Sequence, residues 1–214
     1  MAVVEFNAVY VLASGCVFGI FVKKALNSHC VVLERLRAIV DIDRVGRFVP
    51  LHPNIITILS AAVAWGGVPS VWLYGVPPLI FIIVSSVLDG IDGAVARARG
   101  LATKKGAFLD SFLDRLSDAA YLLYFWHHAE SLVIYTALIG TFSISYVRCR
   151  AESLGIEARG VGFMERGERV LYLIAAAVLE RIYPNILPQV LLLYTVLVNV
   201  AAIHRGILLF RRLK

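Results

Sequence analysis

The sequence predicts an all-α integral membrane protein, in which a bundle of six transmembrane helices is preceded by an amphipathic helix at the membrane interface. Hydrophobic residues make up 59% of the 214 residues, charged residues make up 17%, and the mean hydropathy is +0.79. A soluble domain carries about 25% charged residues and about 45–50% apolar ones. Hydropathy along the chain defines six spans. Their predicted ranges are 54–74, 78–97, 106–126, 131–147, 170–179 (extended at its start toward Gly162) and 187–209.

Two segments precede the six-helix membrane domain, which covers residues 51–214. Residues 1–30 form an apolar N-terminal extension, and their longest apolar run, residues 8–22, is followed by two lysines. That run is short for a span and its charges follow it, so a signal peptide is disfavoured and an extra span stays open. Residues 31–50 are predicted to be the interfacial helix, because apolar and charged side chains fall on different faces. Its apolar face holds Val32, Leu33, Leu36, Ile39 and Val40.

Basic residues concentrate in two of the predicted loops and at the C-terminus, and the formal net charge is +6. Lysine and arginine favour the cytoplasmic side of membrane proteins, so both loops and the C-terminus are predicted to lie in the cytoplasm. A nucleic-acid partner is disfavoured, because no basic run is interleaved with aromatic residues. The loop residues are Arg97, Arg99, Lys104 and Lys105 in the first loop, and Arg148, Arg150, Arg159, Arg166 and Arg169 in the second.

Aspartates lie in or beside the second and third predicted spans. An ionised carboxylate at membrane depth costs several kcal/mol unless it is paired or bound to a metal. Asp89 and Asp92 are three residues apart and Asp110 and Asp114 are four apart, so each pair shares one helix face. Two antiparallel helices joined by a short loop would turn these faces together. The spacing therefore predicts a cluster of four carboxylates, whose oxygen ligands suit Mg²⁺ or Mn²⁺.

Small residues and one arginine surround these acids. Small side chains let helices approach closely and leave room for a phosphate ligand. Arg97 lies one turn after Gly93 and is placed to neutralise a diphosphate. Asp118 extends the acidic face by one further turn, either supporting the cluster or pairing with a nearby arginine. The small residues are Gly90, Gly93, Ala94, Ala96, Gly106 and Ala107.

Two other classes of membrane protein also carry intramembrane acids. An ion or solute transporter would scatter its carboxylates over several spans, often with repeat symmetry. An intramembrane prenyltransferase also binds diphosphates through aspartates, but it is normally longer and its aspartate motifs lie far apart. Here the acids cluster on two adjacent predicted helices and no internal repeat is visible, which favours a phosphate-handling enzyme over both classes.

The acidic segment resembles the signature of the CDP-alcohol phosphotransferase family. It runs Asp-Gly-Ile-Asp-Gly-Ala-Val-Ala-Arg from Asp89 to Arg97, continues with eight residues to Gly106, and then reaches Asp110 and Asp114. All eight fixed positions of the signature match. The resemblance covers about residues 31–214, and it implies a membrane core of six spans.

The resemblance also implies roles for individual residues and a homodimeric assembly. Two Mg²⁺ or Mn²⁺ ions would be held by Asp89, Asp92, Asp110 and Asp114, and Asp114 would act as the general base. Helix capping is the alternative role of Asn54. The implied CDP-binding residues are Asp92, Gly93, Ala96, Arg97 and Gly106, with Asn54 and Thr57 at the start of the first span.

Two further segments, residues 145–152 and 163–169, resemble phosphatidylinositol-phosphate synthases and their archaeal relatives, the archaetidylinositol-phosphate synthases. The resemblance implies that basic residues here hold the phosphate of inositol 1-phosphate, and the guanidinium fork suits that ligand. The matching positions are Arg148, Arg150 and Arg166. Arg205 on the last span is a further candidate, because an interior charge without a ligand is costly.

The expected reaction moves a phosphatidyl-type group from a CDP-lipid to myo-inositol 1-phosphate and releases CMP, as a step of phospholipid biosynthesis. The donor would be CDP-archaeol or CDP-diacylglycerol, and the active site would face the cytoplasm from a multi-pass protein of the cell membrane. Two variants stay open: glycerol 3-phosphate as the acceptor, or CDP-inositol as the donor in di-myo-inositol-phosphate synthesis.

Overall fold

The computed structural model describes residues 46–158, 160–183 and 185–213. Within these ranges the regular structure is entirely helical, which confirms the predicted all-α class. A single 3₁₀ turn, Trp126–His128, lies between the third and fourth helices. The helices are α1 (Pro53–Tyr74), α2 (Pro78–Ala98), α3 (Lys104–Leu123), α4 (Ser131–Ser153), α5 (Arg166–Ile182) and α6 (Leu187–Phe210).

Four of these helices, α1, α2, α4 and α6, are long and apolar enough to cross a membrane. Helix α3 departs from that pattern because it carries Asp110, Asp114 and Asp118 as well as basic residues. Helix α5 has only 17 residues, with charges near both ends. The four apolar helices are typical of a membrane-embedded protein, whereas the count of six spans remains a prediction.

The two predicted N-terminal segments fall mostly outside the described residues. This holds for all of residues 1–30 and for residues 31–45 of the predicted interfacial helix. The described part begins with a short helical stretch at residues 46–48, which leads into α1. The backbone of Gly46 lies directly against α2, since a Cβ at this position would come within 2.7 Å of the Ala94 carbonyl oxygen.

Local capping sets the start and end of α1. His52 is its N-cap, and the Nδ1 atom of His52 accepts a hydrogen bond from the backbone N–H of Asn54 at 3.3 Å. The alternative role of Asn54 as the helix cap is therefore wrong. Gly75 ends the helix with a φ of +64°, in the left-handed region that favours glycine.

Helix α4 extends beyond its predicted range of 131–147 to Ser153. The predicted span stopped at Arg148 because hydropathy falls there. In the added turns Arg148 and Glu152, four residues apart, form an ion pair at 3.0 Å on the helix surface. Arg148 and Arg150 are consequently helical residues rather than loop residues.

The N-terminus of α5 is defined by a capping box and a preceding irregular segment. The side chains of Glu165 and Glu168 each accept a hydrogen bond from the other's backbone N–H. Gly162 has a φ of +90° and Met164 a φ of +57°, and such angles are incompatible with a right-handed helix. The helix therefore begins at Arg166 and does not reach Gly162.

The interior of α1, α2 and α3 contains a neutral cluster that we call the hydroxyl network: Ser60, Ser85 and Tyr121. Ser60 donates to the Ser85 carbonyl at 2.9 Å, Ser85 donates to the Ser60 carbonyl at 3.0 Å, and Tyr121 donates to the Ser85 hydroxyl at 2.8 Å. Close by, the Tyr124 hydroxyl donates to the carbonyl of Ala64. These bonds join α1, α2 and α3, the helices that carry the predicted metal-binding and CDP-binding residues.

Helices α4 and α6 pack closely at a glycine. A Cβ at Gly140 would lie 2.7 Å from the Val198 side chain and 2.9 Å from the Asn199 amide nitrogen. That amide donates to the carbonyl of Thr136 at 3.1 Å. Because α4 and α6 pack together in this way, Arg148 of α4 and Arg205 of α6 lie on neighbouring helices.

Candidate active site

Three aspartates from two helices meet at the junction of α2 and α3. Asp89, Asp92 and Asp110 each offer one carboxylate oxygen, and these oxygens all lie within 4.8 Å of one another. We call these three residues the acid cluster. The helix spacing thus brings together three of the four predicted carboxylates, and Asp92 is the most buried of them, at 4% exposure.

Helix α1 fixes the orientation of Asp92. The Thr57 hydroxyl donates to Asp92 Oδ2 at 2.5 Å and also lies 3.0 Å from the carbonyl of Pro53. Both Thr57 and Asp92 are buried. The Thr57 hydroxyl thus fixes the position of the Asp92 carboxylate within the acid cluster.

Glycines and small residues line the space next to the acid cluster. A Cβ at Gly106 would lie 3.1 Å from Asn54 Oδ1, so the amide of α1 rests on the first turn of α3. A Cβ at Gly93 would lie 3.2 Å from Arg97 Nη1, so the guanidinium lies over this glycine. Ala96, the last of the predicted CDP-binding residues, is half-buried on the same helix.

Asp114 lies beside Asp89 of the acid cluster and is paired with an arginine from α5. Arg166 Nη1 donates to Asp89 Oδ2 at 2.5 Å and lies 2.8 Å from Asp114 Oδ1. The second contact is an ion pair whose alignment does not make a hydrogen bond. Arg166 Nε also lies 3.5 Å from Asp118 Oδ1. The sequence predicted an acceptor-phosphate role for Arg166, and the structure adds these carboxylate contacts.

Asp118 is held by a buried arginine that the sequence analysis did not single out. Arg169 Nη2 lies 2.6 Å from Asp118 Oδ2, and Arg169 Nη1 donates to the Met164 carbonyl at 2.9 Å. Both members of the pair are at most 5% exposed. The pairing alternative for Asp118 is therefore the one observed. A signal existed in the sequence, because a charge inside a short apolar helix needs a partner.

Arg205 of α6 is a buried cation with unused hydrogen-bond donors. Its side chain is 2% exposed, and among the described residues neither Nε nor Nη2 has a hydrogen-bond partner. Its nearest acidic group is Glu165, at 4.0 Å. A Cβ at Gly162 would lie 3.2 Å from Arg205 Nε, so the irregular segment before α5 covers the guanidinium. A buried cation with unused donors is a candidate for binding an anion.

The two arginines at the end of α4 differ in their surroundings. Arg148 is partly exposed, pairs with Glu152 at 3.0 Å and belongs to the charges that act on Arg205. Arg150 is exposed and lies 3.5 Å from the Ser153 hydroxyl. Residues two apart on a helix point to different sides. Arg150 therefore does not join Arg148 and Arg205.

The residues before α1 are tied to α2 by a contact that sequence reasoning missed. Arg99 Nη1 donates to the carbonyls of Val49 at 3.3 Å and Leu51 at 3.0 Å. Together with the close approach of Gly46 to Ala94, these bonds hold residues 46–51 against α2. No motif in the sequence marks either contact.

The donor set fits hard divalent cations. Oxygen-only ligands from carboxylates are what Mg²⁺ and Mn²⁺ prefer, whereas sites for softer metals add thiolate or imidazole. In the described part of the chain, the acid cluster is the group of three or more side chains able to hold such an ion. With buried arginines nearby, the arrangement suits the binding of phosphate groups within an apolar bundle.

These features define a class of protein: a membrane-embedded helical bundle that handles phosphate esters. The sequence profile of CDP-alcohol phosphatidyltransferases matches residues 50–204, and the chain belongs to this family.

Relatives with assigned names include two archaeal proteins. The archaetidylinositol phosphate synthase of Aeropyrum pernix is 44% identical over 127 residues, which cover 58% of this chain and 64% of that protein. The archaetidylinositol phosphate synthase of Methanothermobacter thermautotrophicus is 34% identical over 192 residues, covering 86% of this chain and 96% of that protein. The match to the Aeropyrum protein thus spans just under two thirds of its length.

Solved structures of one bacterial protein share the fold. Phosphatidylinositol phosphate synthase of Mycobacterium tuberculosis, with CDP-DAG bound, superposes with a TM-score of 0.65 at 28% identity, covering 79% of this chain and 92% of that chain. The same protein in complex with manganese and citrate gives a TM-score of 0.63, covering 80% and 86%.

Proposed function

We propose that this protein transfers a phosphatidyl-type group from a CDP-lipid to myo-inositol 1-phosphate and releases CMP. The observation that carries the proposal is the acid cluster, in which three carboxylates from two helices come within 4.8 Å. Like charges at this spacing in an apolar bundle need a cation. The signature of the family, Asp89 to Asp114, contains these same residues.

The residues that would hold the metal are the acid cluster together with Asp114. Two Mg²⁺ or Mn²⁺ ions are expected, and the relative crystallised with manganese supports this choice. When bound, such ions neutralise charge on the donor diphosphate and on the departing CMP. The contribution of the chain is to hold its carboxylates in place, as Thr57 does for Asp92.

The donor nucleotide would lie against the small residues of α2 and α3. Gly93 and Ala96 leave room for the diphosphate, and Arg97 over Gly93 supplies a fixed positive charge. Asn54, packed on Gly106, presents an amide to the same side. The relative with CDP-DAG bound supports a CDP-lipid as the donor.

Asp114 would act as the general base. Its carboxylate accepts the proton of the acceptor hydroxyl, and the hydroxyl oxygen attacks the phosphorus on the lipid side of the diphosphate. One P–O bond forms to the acceptor while the P–O bond to CMP breaks, and CMP leaves with the bonding electrons. Fixed positions of the reacting groups supply much of the rate enhancement.

The acceptor phosphate would bind to Arg205, Arg148 and Arg166. Arg205 favours this role because its guanidinium is buried and two of its nitrogens lack a hydrogen-bond partner among the described residues. Arg148 adds charge from α4, and the names of the archaeal and mycobacterial relatives support an inositol phosphate acceptor. Arg150 is the weakest of the four predicted contacts, because it points elsewhere.

The surroundings of the reaction are also expectations. We expect a multi-pass protein of the cell membrane with the site on the cytoplasmic side, following the distribution of Arg and Lys. The family resemblance leads us to expect a homodimer. An ion or solute transporter is less well supported, because the acids lie in one cluster on adjacent helices.

The test is CMP release by purified protein with Mg²⁺. CDP-diacylglycerol, CDP-archaeol and CDP-inositol serve as donors, each combined with inositol 1-phosphate, glycerol 3-phosphate or free inositol. We expect CMP only with a CDP-lipid and inositol 1-phosphate, and none from the Asp114→Asn variant.

Each other result has a defined meaning. CMP formed with glycerol 3-phosphate or with CDP-inositol would keep the family chemistry and replace the proposed substrates. No CMP from any pair, with protein that melts cooperatively, would contradict the enzymatic function and return the transporter to consideration.

A further inference from the structure

Arg166 stands between two carboxylates that the proposed function assigns to metal binding. Its Nη1 atom lies 2.5 Å from Asp89 Oδ2 on α2 and 2.8 Å from Asp114 Oδ1 on α3. The side chain comes from the first turn of α5, so it enters the site from a third helix. Its guanidinium contacts both carboxylates, which also lie close enough to each other to interact directly.

The position of this nitrogen excludes an ion shared by the same two oxygens. A divalent cation such as Mg²⁺ lies about 2.1 Å from each carboxylate oxygen that binds it. An ion joining Asp89 to Asp114 would therefore need the volume that Nη1 fills. Repulsion between the guanidinium and the ion adds to this overlap. Arg166 and that ion cannot bind both oxygens at once.

The acid cluster itself is in contact with Arg166 through one of its members. Its three oxygens lie within 4.8 Å of one another, and Asp89 is the member of the cluster that forms an ion pair with Arg166 in the described part of the chain. The acid cluster thus offers three carboxylate oxygens to one ion. The other ion position, between Asp89 and Asp114, is filled by Arg166.

The charges lead to the same conclusion. The acid cluster and Asp114 together carry four negative charges, and Arg166 offsets one of them, which leaves three. Two divalent ions would supply four positive charges, and the positive charge of Arg166 is then in surplus. Asp118 does not retain Arg166 strongly, because Arg169 already pairs with it at 2.6 Å.

We propose that Arg166 is a tethered counter-cation that holds the place of the second divalent ion, so that this ion binds Asp114 only after Arg166 has moved away. The inference rests on the proposed function, since it assumes the two-ion site. It adds a consequence: metal loading releases Arg166, whose guanidinium is then available to the acceptor phosphate. Binding of the second ion and binding of the acceptor become linked through one side chain.

Arg115 provides a matched control. Its Nη1 atom lies 3.7 Å from Asp114 Oδ2, and its side chain is 29% exposed. Arg115→Gln removes one positive charge beside the same carboxylate, but it does not vacate the space between Asp89 and Asp114. A general electrostatic effect would appear in both variants, whereas competition for the ion's place would appear only at Arg166.

The experiment measures Mn²⁺ binding to the full-length protein in detergent micelles. Electron paramagnetic resonance of free Mn²⁺ gives the number and affinity of bound ions, and melting temperatures are recorded without metal. The wild type is compared with Arg166→Gln, Arg166→Lys and Arg115→Gln. The lysine variant keeps a positive charge. If the glutamine variant does not fold, the lysine variant tests whether Arg166 competes with the second ion.

We expect the wild type to bind two ions with unequal affinity. In Arg166→Gln the weaker ion should bind at least about tenfold more tightly, since a competing charge at contact distance is removed. Arg166→Lys should show a smaller gain, and Arg115→Gln a change of less than about threefold. Without metal, Arg166→Gln should melt below Arg115→Gln, because the acids lose their counter-ion.

Two results would overturn the inference while leaving the metal site intact: unchanged second-ion affinity in both Arg166 variants, or an equal gain in Arg115→Gln. A wild type that binds no Mn²⁺ would contradict the proposed metal site itself, and with it this inference.

Discussion

The hydroxyl network lies on helices α1 to α3 and the acid cluster lies on α2 and α3. The two are about one turn apart, since Ser85 precedes Asp89 by four residues. The hydroxyl network is neutral, buried and internally hydrogen-bonded. The acid cluster holds like charges within 4.8 Å and depends on side chains from outside it, such as Thr57 and Arg166.

This difference indicates that, on neighbouring helices, the hydroxyl network contributes to stability and the acid cluster to function. A satisfied neutral network lowers the free energy of the folded state and fixes how the helices cross. A cluster of like charges raises that free energy until a cation binds, because both burial and repulsion oppose ionisation. We therefore expect substitutions in the two clusters to change stability in opposite directions.

The largest effect is expected from Asp110→Asn. The substitution removes a ligand of the acid cluster, and we expect CMP release to fall by about 10²–10³-fold, the usual loss when charge stabilisation is removed from a site. Metal-free melting temperature should rise, because one like charge disappears. CMP assays and thermal melts without metal check the two parts, and a lower melting temperature would contradict the electrostatic description.

The next effect concerns Arg205, a single buried charge without a satisfied partner. Arg205→Gln should raise the KM for inositol 1-phosphate by at least about tenfold, because a charge-assisted contact to phosphate is lost. Melting temperature should change little, since the loss of the weak 4.0 Å pairing with Glu165 is offset by removal of a buried charge that lacks hydrogen bonds. Steady-state kinetics check this against Arg150→Gln, an exposed arginine for which we expect less than about a twofold change.

An equal rise in KM for both arginine variants would indicate that α4 and α6 contribute only a diffuse positive field. Arg205 would then lose its assignment as an acceptor contact.

The hydroxyl network should respond with stability rather than activity. Ser85→Ala removes the hydroxyl that accepts from Tyr121 and donates to the Ser60 carbonyl. We expect a loss of about 0.6–1.7 kcal/mol, the range for interhelical hydrogen bonds in membranes. Mn²⁺ binding should be retained. Ser70→Ala is the control, because Ser70 bonds only within its own helix, to Gly66 at 2.9 Å. Thermal or denaturant unfolding in micelles compares the stability of the two variants. Equal losses of stability would contradict a stabilising role of the hydroxyl network.

The smallest effect is expected at the glycines beside the acid cluster. Gly106→Ala would bring a Cβ within 3.1 Å of Asn54 Oδ1, so the amide must shift. We expect the KM for the CDP-lipid to rise by a few-fold, on the order of 1 kcal/mol. Gly90→Ala is the control, because a Cβ there meets nothing within 4 Å. An unchanged KM in both variants would remove Asn54 from the donor site.

The sequence predicted most of the described fold because glycine and proline mark its boundaries. The predicted limits of α1, α2 and α6 agree with the structure to within about two residues. Helix α4 was underestimated because hydropathy falls before the helix ends. The six-span count cannot be read from hydropathy for α3 and α5, whose charges are needed at the site.

The candidate site was only partly predictable. Spacing of three and four residues fixed which side of a helix each aspartate occupies, and this sufficed to bring Asp110 to Asp89 and Asp92. It did not reveal that Arg166 of α5 contacts both Asp89 and Asp114, because a contact between distant helices depends on their packing. The close approach of Gly46 to α2 was missed for the same reason.

The most direct test of the proposed function is CMP release from CDP-lipid and inositol 1-phosphate after removal of metal. Protein treated with a chelator and then freed of it should release no CMP, and added Mn²⁺ should restore release in the wild type but not in Asp110→Asn. CMP release that continues without metal, or that Mn²⁺ restores equally in Asp110→Asn, would contradict the assignment of the acid cluster as the metal site.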